Sequence, residues 1–428
     1  MVDGPWAYHS RVVDTELDEL LEGLAAVAIE GAKAVGKTVT AGRRAATIYE
    51  LDRDPVRELA AADLRRVLSS TPPVLLDEWQ RLPAVWDAVR RAVDDDPSPG
   101  RFLLTGSASP ASPQTHSGAG RIIRLRMRPL SLAERGVATP TVSLAGLLEG
   151  NRSAITGRSD VGLERYVEEI LASGFPGIRP LGARARRAQL DGYLARIVDR
   201  EFPEMGRPVR NPGALHRWMA AYAAATATTA SYDAIRDAAT SGEGDKPAKT
   251  TTQPYRDILE HLWVLDPVPA WAPTRNYLHQ LGAAPKHHLA DPALAARLLG
   301  LDAAALLEDR PVRPALPRDG TFLGALFEAL VTLDVRVYAQ AAEARVHHLR
   351  THRGTHEVDL IVVRGDQRIV ALEVKLSAVV DDHDVRHLRW LANELGDDLL
   401  DAAVITTGEF AYRLPDDIAV IPAALLGP

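Results

Sequence analysis

Cysteine is absent from the 428 residues of the sequence. Its absence excludes disulfide bonds, thiolate zinc sites and a cysteine nucleophile. Long apolar runs are also lacking: the uncharged run Trp218 to Tyr232 has only 15 residues, mostly Ala and Thr, whereas a membrane helix needs roughly 20 apolar residues. Residues 1–23 carry six acids and no apolar centre, so no signal peptide is expected. We therefore expect a cytoplasmic protein without a membrane partner.

An excess of basic charge is lacking too. Fifty Lys and Arg residues stand against 57 Asp and Glu residues, a formal net charge of −7. This balance excludes a uniformly basic coat for nucleic acid but allows local basic patches. Hydrophobic residues make up 46% and charged residues 25% of the chain, as in ordinary globular proteins. At roughly 150 residues per domain, the length predicts about three domains.

Three polar stretches rich in Gly, Pro or Ser divide the chain at residues 107–120, 240–250 and 308–320. Before the first, short apolar runs alternate with helical patterns, which is the rhythm of a parallel sheet. The middle reads as mostly helical, and the order helix, strand, strand, strand, helix, strand after residue 320 predicts a second α/β domain. The predicted regions are an N-terminal α/β domain with a parallel sheet (1–140), a helical lid or linker (141–210), a helical or winged-helix region (211–310) and a C-terminal α/β domain (320–428).

The strongest signal is a glycine-rich turn between an apolar strand and a helix. Residues 25–38 read AAVAIEGAKAVGKT, which places the pattern G-x-x-x-x-G-K-T at Gly31, Gly36, Lys37 and Thr38. Backbone N–H groups of such a turn cradle phosphate oxygens, the lysine reaches the β- and γ-phosphates, and the hydroxyl binds Mg²⁺. The pattern predicts a P-loop that binds ATP with Mg²⁺.

A second apolar run, at residues 74–76, ends in the acids Asp77 and Glu78. This order is typical of a Walker B strand beside the P-loop strand. Asp77 is then expected in the Mg²⁺ shell, and Glu78 is expected to orient or deprotonate the attacking water. An acid pair at this place favours hydrolysis of the nucleotide over binding alone.

A third apolar run, at residues 102–104, is followed by Thr105 and Ser107. Because the carboxyl ends of parallel strands face the ligand, either hydroxyl is a candidate sensor of the γ-phosphate, and a plain turn is the alternative. Arg121 follows the first polar stretch. We take it as a candidate arginine that completes an ATP site, either in its own chain or in a neighbouring copy of a homo-oligomer.

Taken in order, these motifs resemble bacterial and archaeal AAA-type ATPases in which an N-terminal ATPase domain precedes a C-terminal domain of unknown function. The resemblance covers most of the chain. Its motifs are the P-loop and residues 75–80 (LLDEWQ), 103–107 (LLTGS), 128–134 (RPLSLAE), 173–177 (SGFPG) and 285–292 (PKHHLADP). It implies this architecture and ATP binding, and it implies no substrate.

The middle region has two features with open interpretations. Residues 184–210 carry seven arginines against four acids, which predicts either a phosphate-facing surface or a salt-bridged helix face. Helical patterns at 231–238 and 250–263, followed by an apolar ribbon at 264–271, fit a winged-helix module. Lysines before the second helix favour DNA, whereas acids on it favour packing against protein.

Charged residues also mark the strands of the C-terminal region. Strand alternation places Glu373 and Lys375 on one face, and Asp359 lies on the preceding strand. This arrangement is typical of a restriction-endonuclease-like fold, in which Asp359 and Glu373 would ligate Mg²⁺ and Lys375 would orient water or neutralise charge on the phosphorane. Glu328, on the helix before these strands, supplies a further acid. Six histidines between residues 287 and 356 fit surface positions better than a metal site.

Three functions remain open. The leading hypothesis is an ATP-driven switch whose nuclease-like C-terminal domain acts on DNA or RNA. The first alternative is an ATPase that regulates a protein partner and carries a catalytically inactive nuclease fold. A small-molecule phosphotransferase is disfavoured, because no motif indicates an acceptor pocket and the additional domains would have no role.

Overall fold

The computed structural model of the chain describes residues 8–106, 120–207, 209, 211–240, 248–272, 283–307, 322–351 and 354–428. Most of the three polar stretches, with Ser107, lies outside the described residues. The chain divides into two compact units. The first consists of residues 1–129, 175–177 and 257–264, and the second of residues 130–174, 178–256 and 265–428.

The first unit is built around a five-stranded sheet with the order β2-β3-β4-β1-β5. The strands are β1 (Ala26–Glu30), β2 (Thr47–Glu50), β3 (Val74–Asp77), β4 (Phe102–Gly106) and β5 (Ile123–Arg126). The helices are α1 (Val13–Gly23), α2 (Lys37–Gly42), α3 (Asp54–Ala62), α4 (Leu64–Leu68) and α5 (Ala84–Asp95).

All neighbouring strands of this sheet are parallel, so their carboxyl ends meet at one edge, which we call the carboxyl edge. Strands β1, β3 and β4 are continuously buried, as expected for parallel strands covered on both faces. Trp86 of α5 packs in the same core against Trp79, with ring centroids 4.7 Å apart. The predicted N-terminal α/β domain with a parallel sheet is confirmed.

The middle of the chain is mostly helical, in agreement with its sequence pattern. Its helices are α6 (Leu144–Glu149), α7 (Leu163–Ala172), α8 (Ala183–Arg196), α9 (Phe202–Glu204), α10 (Pro212–Ala224), α11 (Tyr232–Ala238), α12 (Lys249–His261), α13 (Pro292–Leu298) and α14 (Ala303–Leu307). A π-helical turn over Ile197–Glu201 joins α8 to α9. Three two-residue strands lie between helices: β6 (Val142–Ser143), β7 (Gly157–Arg158) and β8 (Ala270–Trp271).

The C-terminal part forms most of an eight-stranded mixed sheet with the order β7-β13-β14-β12-β11-β10-β9-β8. The elements of this part are α15 (Phe322–Ala341), β9 (Arg345–Arg350), β10 (Glu357–Val363), β11 (Ile369–Val374), α16 (Asp382–Leu395), β12 (Leu399–Thr406), β13 (Phe410–Arg413) and β14 (Ala419–Pro422). A last strand, β15 (Leu426–Gly427), pairs with β6 in a separate two-stranded sheet. The predicted order of elements after residue 320 is observed.

Strands from the helical middle extend this sheet at both ends. Strand β7 pairs antiparallel with β13, and β8 pairs parallel with β9. The ribbon predicted at 264–271 also forms antiparallel bridges from Leu265 to Leu289 and from Val268 to Lys286. The eight-stranded sheet therefore contains strands from both sides of the seam predicted at 308–320. Winged-helix character of this region stays a prediction.

None of the described helices is both long enough and apolar enough to cross a lipid bilayer.

Candidate functional site

The predicted P-loop connects the carboxyl end of β1 to the start of α2. A β-carbon added to Gly31 would lie 2.1 Å from the carbonyl oxygen of Met127, so this position tolerates only glycine without a backbone shift. Gly36 has φ = 104°, in the left-handed region that glycine adopts at little cost. The two glycines of the motif are therefore required by close approach and by backbone conformation, respectively.

Lys37 is buried within the loop, with 6% of its surface exposed. Its Nζ donates hydrogen bonds to the carbonyl oxygens of Gly31 (2.9 Å) and Ala32 (3.0 Å). Burial lowers the pKa of Lys37 to about 8, and the nearby carboxylates of Glu78 and Asp77 partly oppose this effect. The amine therefore lies in the anion cradle and meets backbone dipoles rather than a directly bonded carboxylate.

Three further predicted residues meet beside the lysine at the carboxyl edge. Thr38 Oγ1 donates a hydrogen bond of 2.8 Å to Oδ1 of Asp77, and the Thr105 hydroxyl donates to the same oxygen. Asp77 and Thr105 are register partners on β3 and β4. Hydroxyl and carboxylate oxygens are hard ligands of the kind that Mg²⁺ prefers. The donor set at Thr38 and Asp77 therefore fits the predicted magnesium ion.

Glu78 follows β3 directly and has φ = 53° and ψ = 45°, a left-handed conformation that is uncommon for a residue with a side chain. Such backbone outliers concentrate at functional sites. Its Oε2 accepts a hydrogen bond from Nε2 of Gln80. Sequence reasoning had given Gln80 no role, although it belongs to the LLDEWQ motif. The turn and the amide together fix the direction of the Glu78 carboxylate.

Arg121 is not brought to the P-loop of its own chain. It precedes β5, and its Nε bonds Oδ1 of Asp94, near the end of α5, at 2.7 Å. Because β5 runs parallel to β1, this position is at the amino end of the sheet, opposite the carboxyl edge. The arginine at the carboxyl end of β5 is Arg126, the register partner of Glu30. A role of Arg121 in a neighbouring subunit stays a prediction.

The structure adds one P-loop support that sequence reasoning missed. Arg11, 6% exposed, donates from Nη1 to the carbonyl oxygen of Val35 (2.8 Å) and from Nη2 to that of Arg128 (2.6 Å). It thereby ties the P-loop to the chain after β5. A single arginine before the first helix carries no local pattern from which this contact could be read.

The arginine-rich segment of the middle region contains several ion pairs and hydrogen bonds to its own chain. Arg196 Nε lies 3.0 Å from Glu201 Oε1, and Arg200 Nε lies 3.0 Å from Glu204 Oε1. Arg186 donates to the carbonyl oxygens of residues 179 and 181. These contacts favour the salt-bridged helix face over a surface that presents all its arginines to phosphates.

The acids predicted in the C-terminal region lie together in the second unit. Asp359 on β10 and Glu373 on β11 are adjacent to the register pair Leu360–Leu372, and Glu373 Oε1 lies 3.0 Å from Lys375 Nζ. Burial, followed by the charge of Asp359, raises the pKa of Glu373 to about 8. The pairing of Glu373 with Lys375 is as strand alternation predicts.

A lysine that sequence reasoning did not consider lies among these acids. Lys286 Nζ donates to Oε1 of Glu328 (2.8 Å) and to Oδ1 of Asp359 (2.9 Å). Burial acts to lower the pKa of Lys286, but Asp359 and Glu328 outweigh it and raise the pKa well above its ordinary value. An ammonium group therefore bonds Asp359, which was predicted to ligate Mg²⁺ together with Glu373, and joins it to Glu328.

The interpretation of the histidines as surface residues is wrong for three of them. His287, His288 and His348 are at most 2% exposed. His287 packs between Tyr222 and Tyr232, with ring centroids 5.0 Å from each, and burial lowers its pKa. His287 and His288 lie on the bridged segment 286–289, and His348 lies on β9 within the eight-stranded sheet.

One group of possible metal ligands with short mutual distances occurs among the described residues, namely Asp381, His383 and Asp384. Asp381 and Asp384 form the capping box of α16, in which each side chain bonds a backbone N–H. Helix capping accounts for the positions of the two carboxylates.

Three family models match separate parts of the chain. Residues 25–135 match the family model of an AAA domain, residues 163–305 match a domain of unknown function (DUF8612), and residues 323–426 match another (DUF4143). The chain is 26% identical over 403 residues to the uncharacterized proteins Rv2008c of Mycobacterium tuberculosis and Mb2031c of Mycobacterium bovis, and the alignment covers 93% of this chain and 80% of each relative.

Among solved structures, the Walker-type ATPase PABY2304 of Pyrococcus abyssi is similar, with 15% identity and a TM-score of 0.39, over 69% of this chain and 99% of that one. The family match to residues 25–135 coincides with the parallel sheet and the P-loop described above. Residues 25–135 are therefore similar to an AAA domain and contain a P-loop.

Proposed function

We propose that the N-terminal site binds ATP together with Mg²⁺ and hydrolyses it. Lys37 holds the β- and γ-phosphates electrostatically, and Thr38 and Asp77 hold the metal. When bound, Mg²⁺ neutralises charge that develops on the phosphate oxygens. The observation that carries this proposal is the convergence of Lys37, Thr38, Asp77 and Thr105 at the carboxyl edge of one parallel sheet.

We assign to Glu78 the orientation of the attacking water, with Thr105 as a sensor of the γ-phosphate. Glu78 lies in a left-handed turn at the end of β3, and its carboxylate accepts a hydrogen bond from Gln80. A carboxylate positioned in this way accepts the proton of water as the bond to phosphorus forms. Thr105 and Thr38 both donate to Oδ1 of Asp77. A change at the γ-phosphate can therefore be transmitted to Thr105 through this one oxygen.

The test is a comparison of Glu78→Gln with wild type. General-base removal is expected to lower steady-state ATP turnover about 100-fold or more, while ATP affinity measured by calorimetry stays within about threefold. Glu58→Gln, at an exposed glutamate of α3, is the matched control and should change neither quantity. Loss of binding in parallel with turnover would show that Glu78 is not the water-orienting group.

We further propose that the nucleotide state regulates a macromolecular partner through the second unit, with a protein as the favoured partner class. The ion pairs of Arg196 and Arg200 and the ammonium group of Lys286 support the version in which the C-terminal nuclease-like fold is inactive. Metal-dependent cleavage of DNA or RNA at Asp359, Glu373 and Lys375 is the second candidate, favoured by the pairing of Glu373 with Lys375 beside Asp359. Incubation of labelled DNA and RNA with Mg²⁺ or Mn²⁺, with and without ATP, separates the two.

A further inference from the structure

Two backbone hydrogen bonds hold the main chain of Lys286 in place. Lys286 donates its N–H to the carbonyl oxygen of Val268 and accepts the N–H of Val268, both at 2.9 Å. Its side chain is 1% exposed. The side chain therefore extends from an anchored backbone into the interior of the second unit. Its ammonium group must find its hydrogen-bond acceptors within the protein, because bulk water does not reach it.

The neighbours of the amine are carboxylates from two different elements. Besides the bonds to Glu328 on α15 and Asp359 on β10, Glu357 Oε1 lies 3.8 Å away. The other oxygen of Asp359 accepts the N–H of Val374 at 2.9 Å. Both oxygens of Asp359 are thus engaged, one of them by a full positive charge.

Glu373 completes the group and carries an oxygen without a partner. Its Oε2 is buried and makes no hydrogen bond, while Oε1 pairs with Lys375. Its side chain is 7% exposed. Together with Glu328 and Asp359 it forms what we call the carboxylate cluster (Glu328, Asp359 and Glu373). Buried carboxylates in such proximity require a cation or protons.

A divalent metal and the ammonium of Lys286 exclude one another here. An oxygen that lies 2.9 Å from Nζ cannot also ligate a dication at bonding distance without bringing two cations within a few ångströms of each other in a buried site. The amine is equally unsuited to covalent chemistry, because its carboxylate partners keep it protonated.

We infer that Lys286 is the resident cation of the carboxylate cluster and takes the place of a divalent metal. The cluster is therefore a closed ion-pair site in the natural chain, and it becomes a metal site only when Lys286 is removed. This inference goes beyond the proposed ATPase activity, which involves the first unit.

The experiment is a titration of full-length, nucleotide-free protein with Mn²⁺, followed by electron paramagnetic resonance of the free ion. Asp77→Asn and His383→Ala are introduced first, because Asp77 belongs to the ATP site and His383 to the exposed group on α16. This parental chain should bind no Mn²⁺ below about 1 mM. Addition of Lys286→Met should create one site with at least tenfold higher affinity, and addition of Asp359→Asn should abolish it.

Lys375→Met is the matched control, since it removes one lysine charge from the same region but leaves Lys286 in place. It should raise Mn²⁺ affinity less than threefold. Equal gains from the two lysine variants, or no gain from Lys286→Met in folded protein, would overturn the inference.

If Lys286→Met fails to fold even with Mn²⁺ present, the parental chain decides the question alone. A single Mn²⁺ bound there and lost in Asp359→Asn would show that metal, not Lys286, is the native cation. Absence of Mn²⁺ binding in both the parental chain and its Asp359→Asn variant would support the inference. Loss of ATP hydrolysis in Glu78→Gln is independent of both results, so failure of one proposal can be told from failure of the other.

Discussion

Among the described residues, each of the two units buries one lysine, and the two lysines have opposite electrostatic surroundings. Lys37 meets backbone carbonyls, and burial lowers its pKa to about 8. Lys286 is buried more deeply, yet carboxylates raise its pKa. A lysine can exchange its hydrogen bonds to carbonyl oxygens for bonds to an incoming phosphate. A directly bonded carboxylate, by contrast, already neutralises the charge of its lysine. The charge of Lys37 can therefore pair with a bound anion, whereas the charge of Lys286 is already paired with carboxylates of its own chain.

The largest expected effect comes from removal of Lys286 from its carboxylate partners. Lys286→Met leaves the carboxylate cluster without its cation, and removal of one partner from a buried ion pair costs about 3–5 kcal/mol. The free energy of unfolding of the full-length chain, measured with urea at pH 7, should fall by this amount. Lys37→Met should lose less than about 1 kcal/mol, because it removes a lysine whose charged form is penalised by burial. Equal losses would contradict the distinction.

The next effect comes from removal of Lys37 from the P-loop. Lys37→Met removes the charge that faces the phosphates, and ATP affinity in Mg²⁺, measured by calorimetry, should fall about 100-fold, equivalent to about 2.7 kcal/mol. Lys286→Met should stay within about threefold of wild type, if it is folded. An unchanged affinity in Lys37→Met would remove the P-loop assignment.

A pH dependence sharpens the description of the carboxylate cluster. Because the pKa of Glu373 is raised to about 8 from 4.5, the folded chain keeps a proton that the unfolded chain releases at lower pH. The free energy of unfolding should therefore decrease between pH 4.5 and 8 relative to Glu373→Gln, by about 1–3 kcal/mol. Glu394→Gln, at an exposed glutamate of α16, should run parallel to wild type across this range.

The smallest effect concerns Arg121. Its ion pair with Asp94 joins two partly exposed side chains, and such pairs contribute about 0–1 kcal/mol. Arg121→Ala should accordingly change stability by less than about 1 kcal/mol and leave ATP affinity of the monomer unchanged. A fall in turnover that appears only at protein concentrations that favour oligomers would instead support a role in a neighbouring subunit.

Contiguous motifs explain why the sequence brings together so many residues of the proposed ATP site. Gly31 to Thr38 form one turn, and Asp77 ends a strand whose apolar run fixes its place in the sheet. Parallel pairing then brings these ends to one edge without further information. Glu373 and Lys375 could be placed on one face for the same reason, since alternation along a strand is local, and their ion pair agrees with that placement.

The residues that were missed depend on long-range contacts. Lys286 lies 42 residues before Glu328 and 73 before Asp359, and it reaches them only because the segment at 286–289 bridges to the ribbon at 265–268. Arg11 is separated from Arg128 by 117 residues. Arg121 lies away from the P-loop of its own chain because it precedes β5 at the amino end of the sheet, and the sequence around it does not specify the direction of that strand.

Covalent attachment gives the cation of the carboxylate cluster a property that no metal ion has. A tethered group has a fixed effective concentration at its site, set by the chain and not by the surroundings. Lys286 therefore cannot be removed by dilution or by a chelator, and it cannot be replaced by a competing ion while the fold is intact. The charge balance of the carboxylate cluster is therefore set by the sequence and does not vary with the metal ions available to the cell.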